Sequence, residues 1–325
     1  MRVLVTGGAG FIGSAYVRNA LGGRFPGFDP DSVVVLDKFT YAGNRGNLAP
    51  VAGDPRLRIV PGDVCDPDVV RTVMAGTDLV VHFAAESHVD RSIDAAADFV
   101  RTNVLGTGTV LSGALDAGVA RVVHVSTDEV YGSIEHGAWP ETHPLQPNSP
   151  YAASKASADL LAHAFHATHG LNVSITRCSN NYGPYQYPEK VISLFLTNLL
   201  DGATVPLYGD GLNVREWIHV DDHCRGIQLV AERGTPGEVY NIGGGVELSN
   251  RELTARLLAA AGVGWDRVRS VADRKGHDRR YALDATKIGR LGYRPLVDFD
   301  TGLARTVAWY HGNRAWWEPL KADRR

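Results

Sequence analysis

The first half of this 325-residue chain repeatedly alternates short apolar runs with helical stretches, and this alternation restricts its fold most strongly. The apolar runs are rich in β-branched residues and lack polar alternation, which is typical of strands covered on both faces. The runs lie at 3–5, 33–36, 57–60, 79–83, 122–125 and 173–176, and the helical stretches at 67–75, 99–117 and 150–169. Repeated β-α-β units predict an α/β fold with a Rossmann-type, doubly wound parallel sheet.

The pattern becomes less regular after residue 177, where turn-rich segments separate shorter candidate elements. One further strand is predicted at 239–242. We therefore expect a second, smaller C-terminal substrate-binding domain, with the chain returning once to the sheet. The predicted boundaries are 1–178 for the Rossmann domain, with a return at about 216–242, and 179–325 for the smaller domain.

Composition and charge exclude several functional classes. The 33 basic and 36 acidic residues give a formal charge of -3, whereas a nucleic-acid-binding protein needs a basic surface. No apolar run approaches the roughly 20 residues that span a bilayer, and the N-terminal residues do not resemble a secretory signal. The three cysteines, Cys65, Cys178 and Cys224, are odd in number and far apart, which argues against a disulfide framework. We expect a cytoplasmic protein with neither nucleic-acid nor membrane partners.

A glycine-rich turn directly follows the first predicted strand and begins a helix. Gly7, Gly10 and Gly13 have the spacing GxxGxxG. In a dinucleotide-binding fold such glycines permit a tight turn, close approach to a pyrophosphate, and close packing of helix against strand. Unpaired N–H groups and the positive end of the helix would then face the phosphates. The sequence therefore predicts a dinucleotide site here.

Residues at the ends of the next strands refine this site. Asp37 ends the second strand, where a carboxylate accepts hydrogen bonds from both ribose hydroxyls and repels a 2′-phosphate. NAD is therefore favoured over NADP, although the adjacent Lys38 would tolerate a phosphate. From topology, Asp63 and Val64 are placed to meet the adenine, and 84–88 are placed to line the nicotinamide side.

The fifth strand ends in two adjacent carboxyl residues, Asp128 and Glu129, which follow Thr127. Two acids close together in a partly buried site cannot both ionise freely, so their pKa values separate. One acid can then donate a proton while the other accepts one. The alternative is that both residues cap the next turn and face solvent.

Tyr151 and Lys155 form a second candidate catalytic group. Ser149 is predicted to cap a helix with Pro150 as its first residue, which places Tyr151 and Lys155 one turn apart on one face. The ammonium group and the positive helix end would both favour the phenolate, so they predict a lowered pKa and a usable base.

Together these motifs resemble the extended short-chain dehydrogenase/reductase superfamily and, more narrowly, the dTDP-glucose 4,6-dehydratase family. The acid pair within 126–132 is the specific element, because related sugar epimerases carry non-acidic residues there. The other matching stretches are 85–92, 177–186, 216–223 and 274–278. Ser193 departs from the family pattern, in which proline commonly follows Val191-Ile192, and leaves the loop conformation and the substrate fit open.

The resemblance implies the mechanism of such enzymes. Tyr151 would remove the proton of the sugar 4-hydroxyl, with Thr127 hydrogen-bonded to that oxygen, while hydride passes from carbon 4 to NAD+. Glu129 would then remove the carbon 5 proton, Asp128 would protonate the departing 6-hydroxyl, and hydride would return to carbon 6. The product is a 4-keto-6-deoxy sugar, and the smaller domain would bind the nucleotide sugar.

The candidate site residues fall into three sets. The catalytic residues are Thr127, Asp128, Glu129, Tyr151 and Lys155. The cofactor contacts are Gly7, Gly10, Phe11, Ile12, Gly13, Asp37, Lys38, Thr40, Asp63, Val64, Phe83, Ala84, Ala85, Ser87, Thr102, Tyr151, Lys155 and Asn181. The substrate contacts that the resemblance implies are Ser87, His88, Thr127, Asn180, Glu189, Lys190, Pro206, Tyr208, Arg215, Asn250, Arg274 and His277.

Several alternatives stay open. The chain may encode a nucleotide-sugar 4-epimerase, a dehydratase for another nucleotide sugar, or a non-catalytic NAD sensor, although a sensor needs none of the catalytic residues. His219 and His223 have metal-like spacing but are expected to begin a helix, so no metal is predicted. Relatives pair helices such as 99–117 and 150–169 across a dimer contact, which predicts a homodimer.

Overall fold

The computed structural model describes residues 1–322 and contains one large and two small β-sheets in that range. The strands are β1 Arg2–Thr6, β2 Ser32–Asp37, β3 Leu57–Pro61, β4 Leu79–His82, β5 Arg121–Thr127, β6 Val173–Cys178, β7 Asn180–Tyr182, β8 Val205–Tyr208, β9 Val214–His219, β10 Val239–Ile242, β11 Val246–Ser249 and β12 Val268–Val271. The α-helices are α1 Phe11–Leu21, α2 Pro67–Met74, α3 Val89–Asp94, α4 Ala96–Phe99, α5 Gly106–Asp116, α6 Pro150–His169, α7 Val191–Leu200, α8 Val220–Arg233, α9 Asn250–Ala261, α10 Thr286–Arg290, α11 Phe299–Gly312 and α12 Arg314–Ala322. Short 3₁₀ turns span Arg45–Val51, Asp128–Tyr131 and Trp265–Arg267, and a π-helical turn spans Val100–Leu105.

The large sheet has seven parallel strands in the order β10-β6-β5-β4-β1-β2-β3. The chain adds β2 and β3 on one side of β1, then crosses to β4 and builds outward on the other side. This reversal between β1 and β4 opens a crevice at the carboxyl ends of the two strands, where such folds bind ligands. The predicted doubly wound α/β fold is confirmed.

Helices cover both faces of this sheet, as the uninterrupted apolar strands require. One buried cluster joins the sheet to α1 and α8, and a second joins its other face to α2, α5 and α6. Most side chains of β1, β2, β4 and β5 are fully buried, since each strand is enclosed on both sides.

The remaining strands form two small sheets beside the carboxyl edge of the large one. Strand β9 pairs in parallel with β7 and antiparallel with β11, and β8 pairs with β12. A separate buried cluster joins these strands to α7, α9, α11 and α12. It includes Trp217 and Trp317. This part of the molecule forms the wall that faces the large sheet across the crevice.

The helix predicted at 99–117 has a different local structure. The chain passes from α4 through the π-helical turn before α5 begins. Asn103 lies in this turn. Its Oδ1 accepts from the Glu86 N–H at 2.8 Å, and its Nδ2 donates to the Glu86 carbonyl oxygen at 3.0 Å. A π turn reorients side chains along a helix, often at functional sites, and this one joins the helix to the segment after β4.

None of the helices in residues 1–322 combines the length and apolarity needed to cross a membrane.

Candidate active site

A large cavity lies above the carboxyl ends of β1, β4 and β5, between the seven-stranded sheet and the two small sheets. All the residues predicted above as catalytic, cofactor or substrate contacts line this cavity. These residues are far apart in the sequence, from Gly7 to His277, and the fold brings them together.

The glycine-rich turn after β1 fits a dinucleotide pyrophosphate. Gly7 has φ of 67°, and a Cβ atom there would lie 2.7 Å from the Ala84 backbone nitrogen. A Cβ on Gly13 would lie 2.3 Å from the Gly7 carbonyl oxygen. Helix α1 begins at Phe11, and within the described residues no side chain caps its first N–H groups. The turn therefore leaves backbone donors facing the cavity, as an anion site requires.

Asp37 lies at the end of β2, where a ribose carboxylate is expected. Its Oδ2 accepts from the Ala9 N–H at 2.9 Å and its Oδ1 from the Phe39 N–H at 2.8 Å. Burial raises the pKa of Asp37, while these two hydrogen bonds oppose the rise. Lys38 is bound to Asp63 at 2.8 Å. The cation that would tolerate a 2′-phosphate is therefore partly neutralised, which favours a free ribose hydroxyl.

The acid pair lies in the 3₁₀ turn that directly follows β5. Thr127 donates to Asp128 Oδ1 at 3.2 Å and accepts from the Glu129 N–H at 3.3 Å. Asp128 is 1% exposed, and its Oδ2 has no hydrogen-bond partner among the described residues. An unpartnered buried carboxyl oxygen in a cavity wall is suited to contact a ligand hydroxyl.

The two acids have different electrostatic surroundings. Burial and the neighbouring Glu129 raise the pKa of Asp128 well above its ordinary value, which favours the protonated form of this carboxyl group. Burial also raises the pKa of Glu129, but Lys190, Arg215 and Arg274 all oppose the rise. The two acids therefore differ in their surroundings. At Asp128 the Glu129 and Glu216 carboxyl groups add to the rise and Arg215 opposes it, whereas three cations act on Glu129.

Helix α6 brings Tyr151 and Lys155 to the cavity floor. Ser149 caps the helix by accepting from the Ala152 N–H, and Pro150 is its first residue, as predicted. The Lys155 Nζ donates to the Val125 carbonyl oxygen of β5 at 2.8 Å. This contact fixes the ammonium group against the central sheet.

The prediction that Lys155 and the helix end lower the pKa of Tyr151 is wrong for the protein alone. Burial raises this pKa well above its ordinary value, and Glu129 raises it further. The Thr127 hydroxyl opposes the rise. Burial of the phenol beside the Glu129 carboxyl group favours its neutral form more strongly than the Lys155 ammonium group favours the phenolate.

Cationic groups from the small sheets form the opposite wall. Lys190 donates to the Ser87 carbonyl oxygen at 2.7 Å, and Arg215 lies over the Tyr281 ring at 4.2 Å. Arg274 contacts Asp90 at 3.3 Å, while its Nε is buried without a partner within the described residues. These cations suit a diphosphate, which accepts several charge-assisted hydrogen bonds.

Sequence reasoning missed several cavity residues. Asp90 binds Arg274, which is 184 positions away in the sequence, and Trp217 has a buried indole nitrogen without a partner among the described residues. Tyr41 donates at 3.0 Å to Glu189, a residue of the cavity lining. Asp90 belongs to the matching stretch 85–92, so a signal existed for it. Trp217 likewise belongs to the matching stretch 216–223, whereas Tyr41 lies in no motif and only the tertiary structure brings it to Glu189.

Fold and site together define a class of protein. A Rossmann-type sheet with a glycine-rich turn after β1 is combined with Tyr151 and Lys155 on one helix at the same cavity. This is the arrangement of the extended short-chain dehydrogenases/reductases, with a second wall suited to a nucleotide diphosphate.

Comparisons with known proteins make the assignment narrower. Residues 4–306 match the family described as GDP-mannose 4,6 dehydratase. A dTDP-glucose 4,6-dehydratase of Streptomyces antibioticus is 65% identical over 99% of this chain and 96% of its own. The crystal structure of DesIV, a dTDP-glucose 4,6-dehydratase of Streptomyces venezuelae with NAD and dTDP bound, has a TM-score of 0.98 and 66% identity, and the match covers 98% of this chain and all of DesIV.

A UDP-glucose 4-epimerase of Thermotoga maritima with UDP-glucose is more distant. Its TM-score is 0.88 at 31% identity, over 97% of this chain and all of the epimerase. The chain belongs to the dTDP-glucose 4,6-dehydratase family.

Proposed function

We propose that the chain is an NAD-dependent dTDP-glucose 4,6-dehydratase, a carbon-oxygen lyase that forms dTDP-4-keto-6-deoxyglucose and water. The observation that carries this proposal is the acid pair in the cavity wall, where burial raises the pKa of Asp128 and three cations act on Glu129. A 4-epimerase neither removes the proton from carbon 5 nor expels the hydroxyl from carbon 6, so it does not need such a pair. The pair therefore distinguishes the two reactions that this fold supports.

The protein side of the mechanism follows from the positions of the side chains. Tyr151 takes the proton from the 4-hydroxyl of the sugar, and Thr127 orients the same oxygen. Glu129 takes the proton from carbon 5, while the protonated Asp128 gives its proton to the departing 6-hydroxyl. Asp128 is suited to this step because its Oδ2 is buried and has no partner in the described part of the chain.

The cofactor site fits NAD by its glycine turn and by Asp37. When bound, NAD+ supplies a positive charge and the carrier that takes hydride from carbon 4 and returns it to carbon 6. Lys155 lies at the cavity floor, where it is placed to orient the cofactor and Tyr151. Because the raised pKa of Tyr151 belongs to the protein alone, we expect the phenol to become a usable base only in the loaded site.

The substrate contacts are proposed for the opposite wall. Lys190, Arg215 and Arg274 would bind the diphosphate, and Pro206 and Tyr208 would lie near the base. The remaining cofactor and substrate contacts are proposed as predicted from the sequence. The Rossmann domain is proposed as 1–178 with the return at about 216–242, and the nucleotide-sugar domain as 179–325.

We also propose a cytoplasmic homodimer. Three free cysteines among the described residues are consistent with a reducing compartment. Val100, Leu105 and Leu160 are apolar and 55%, 55% and 61% exposed, and all three lie on the helical segments predicted to pair. Such a group of exposed apolar side chains is suited to an interface with a second copy.

Incubation with dTDP-glucose in heavy water tests the function. We expect each product molecule to lose one water and gain one deuterium at carbon 5, without added NAD, as measured by mass spectrometry and NMR. The control is the Tyr151→Phe variant, which should form no product. Inversion of the 4-hydroxyl without loss of water would instead identify an epimerase.

A further inference from the structure

A buried charge network lies one helical turn below Lys155, and the proposed mechanism does not use it. Asp159 follows Lys155 at i,i+4 on the buried face of α6. Its Oδ2 accepts from Arg177 Nε at 2.9 Å, and its Oδ1 lies 3.3 Å from His124 Nε2. Lys155, Asp159 and Arg177 are 4%, 1% and 4% exposed. Arg177 is therefore the cation that contacts the Asp159 carboxylate directly, and Lys155 lies one helical turn away in the same buried interior.

Arg177 is itself fixed in place. Its Nη1 donates to the Tyr131 hydroxyl at 2.8 Å, and this hydroxyl donates to Asn241 on the edge strand β10 at 2.9 Å. Although burial opposes ionisation, Arg177 and the His124 contact lower the pKa of Asp159 to about 2. Asp159 is therefore an anion under all ordinary conditions, and Arg177 determines the position of its carboxylate.

The other titratable groups near Lys155 are uncharged at neutral pH. They are Tyr151 on α6, His82 on β4, His124 on β5 and Cys178 on β6. Burial raises the pKa of Tyr151 and Cys178 and lowers the pKa of both histidines. Among the described residues that act on Lys155, Asp159 alone carries a negative charge.

We propose that Asp159 is a positioning residue for the reaction: its carboxylate, anchored by Arg177, is the counter-ion that keeps Lys155 an ammonium group in the buried site. The significance of that charge rests on the proposed function. If the carboxylate is lost, two buried cations face each other. Arginine keeps its proton at any accessible pH, so lysine is the group that becomes neutral.

The size of the effect follows from the position of Lys155. Burial lowers the pKa of Lys155 to about 8, and Asp159 opposes this fall. Loss of an opposite charge at this range changes a pKa by roughly 1 to 3 units. In an Asp159→Asn variant, Lys155 would therefore be mostly neutral at pH 8 and would regain its charge as the pH falls toward 6 and below.

The direct measurement is a ¹³C NMR titration of the lysine Cε atoms in the full-length protein. The chain has only six lysines, and Lys155→Arg identifies the resonance of interest. We expect Asp159→Asn to lower the titration midpoint of Lys155 by at least about 1 unit. Asp159→Glu should restore it, because it keeps the charge. Asp300→Asn, which removes an exposed partner of Arg256, should leave it unchanged.

Activity provides the second readout. Turnover of dTDP-glucose by Asp159→Asn should fall at least about fivefold at pH 8 and by a clearly smaller factor near pH 6, since the alkaline limb moves to lower pH. A purely structural role would reduce turnover equally at both values and would overturn the proposal. The NMR midpoint does not depend on the substrate, so a wrong assignment of function would leave that test intact.

A second variant decides the question if Asp159→Asn does not fold. Arg177→Gln removes the competing cation and leaves the carboxylate to Lys155, so the midpoint of Lys155 should rise. A midpoint unchanged from the wild type in either folded variant overturns the proposal.

Discussion

Asp128 and Glu129 are adjacent in the chain, but their side chains meet different surroundings. Asp128 is enclosed, and its Oδ2 lacks a partner among the described residues, whereas Glu129 faces Lys190, Arg215 and Arg274. The sequence predicts a pair of acids whose pKa values separate. It does not show which cations lie close enough to Glu129 to favour its carboxylate form. Arg274 is 145 positions from Glu129, so this part of the site depends on the tertiary structure.

An Asp128→Asn variant should lose the proton donor but keep the Oδ1 that accepts from Thr127. We expect kcat to fall roughly 10²- to 10⁴-fold, the usual contribution of general acid catalysis. Binding of dTDP, measured by calorimetry, should stay within about twofold, because the contact proposed for Asp128 is with the 6-hydroxyl of the sugar and not with the nucleotide. Asp116→Asn, an exposed acid at the end of α5, is the matched control. A variant at Asp128 that keeps more than about a tenth of kcat would contradict the assignment.

The same residue determines a pH dependence. The elimination requires the protonated form of Asp128, and burial raises its pKa well above the ordinary value. The acid form is therefore kept to higher pH than in a free aspartic acid, and the rate should fall as pH rises through this raised pKa. The check is the alkaline limb of the kcat profile followed by release of water from the substrate. A rate that stays constant from neutral to alkaline pH is inconsistent with Asp128 as the acid.

At the scale of elements, the sequence predicts the large sheet well and the small sheets poorly. Strands enclosed on both faces, such as β1 and β4, are continuous apolar runs and are recognised locally. Strand β7 has only three residues, and its neighbour β9 pairs in parallel with β7 and antiparallel with β11. Neither strand therefore has a clear pattern in the local sequence. The cap of α6 was predicted because capping depends on residues close in sequence.

Ser193 shows how one helix positions a binding loop. Its hydroxyl lies 2.7 Å from the Tyr187 carbonyl oxygen and 3.0 Å from that of Lys190, in the first turn of α7. It therefore connects α7 to the loop that carries Glu189 and Lys190. The structure answers the question left by the sequence, because this hydroxyl constrains the loop where relatives commonly have proline.

Removal of the hydroxyl in Ser193→Ala should loosen this loop. We expect KM for dTDP-glucose to rise roughly three- to tenfold, as for one lost buried hydrogen bond, with kcat changed less than about twofold. Thr197→Val is the matched control, because its hydroxyl bonds the Ser193 carbonyl within the same helix and does not reach the loop. An equal rise of KM in both variants would show that the effect comes from the helix and not from the loop contact.

At the scale of the whole molecule, the exposed apolar residues of the described chain are not evenly placed. Val100 and Leu105 of the π-helical turn and Leu160 of α6 lie on neighbouring helical segments, which pack against each other. Val100, Leu105 and Leu160 are exposed to solvent on the same helical segments that carry Thr102 and Tyr151 of the cavity lining. Pairing of two copies here would stabilise the helices that form the cavity floor.

A Leu160→Arg variant tests the dimer. Burial of a charge in an apolar interface is unfavourable, so the variant should sediment as a monomer while the wild type sediments as a dimer. Leu296→Arg, at an equally exposed leucine elsewhere, should remain a dimer. Sedimentation velocity distinguishes the species. If the wild type is a monomer, or if both variants keep the dimer, these helices are not the interface.

The most direct test of the central claim uses the Asp128→Asn, Glu129→Gln double variant with dTDP-glucose. Oxidation at carbon 4 needs Tyr151, whereas water loss needs the acid pair. The account predicts that absorbance at 340 nm rises as the bound cofactor is reduced, while NMR detects neither loss of the 6-hydroxyl nor deuterium at carbon 5 in heavy water. Formation of the 4-keto-6-deoxy product at the wild-type rate would contradict it.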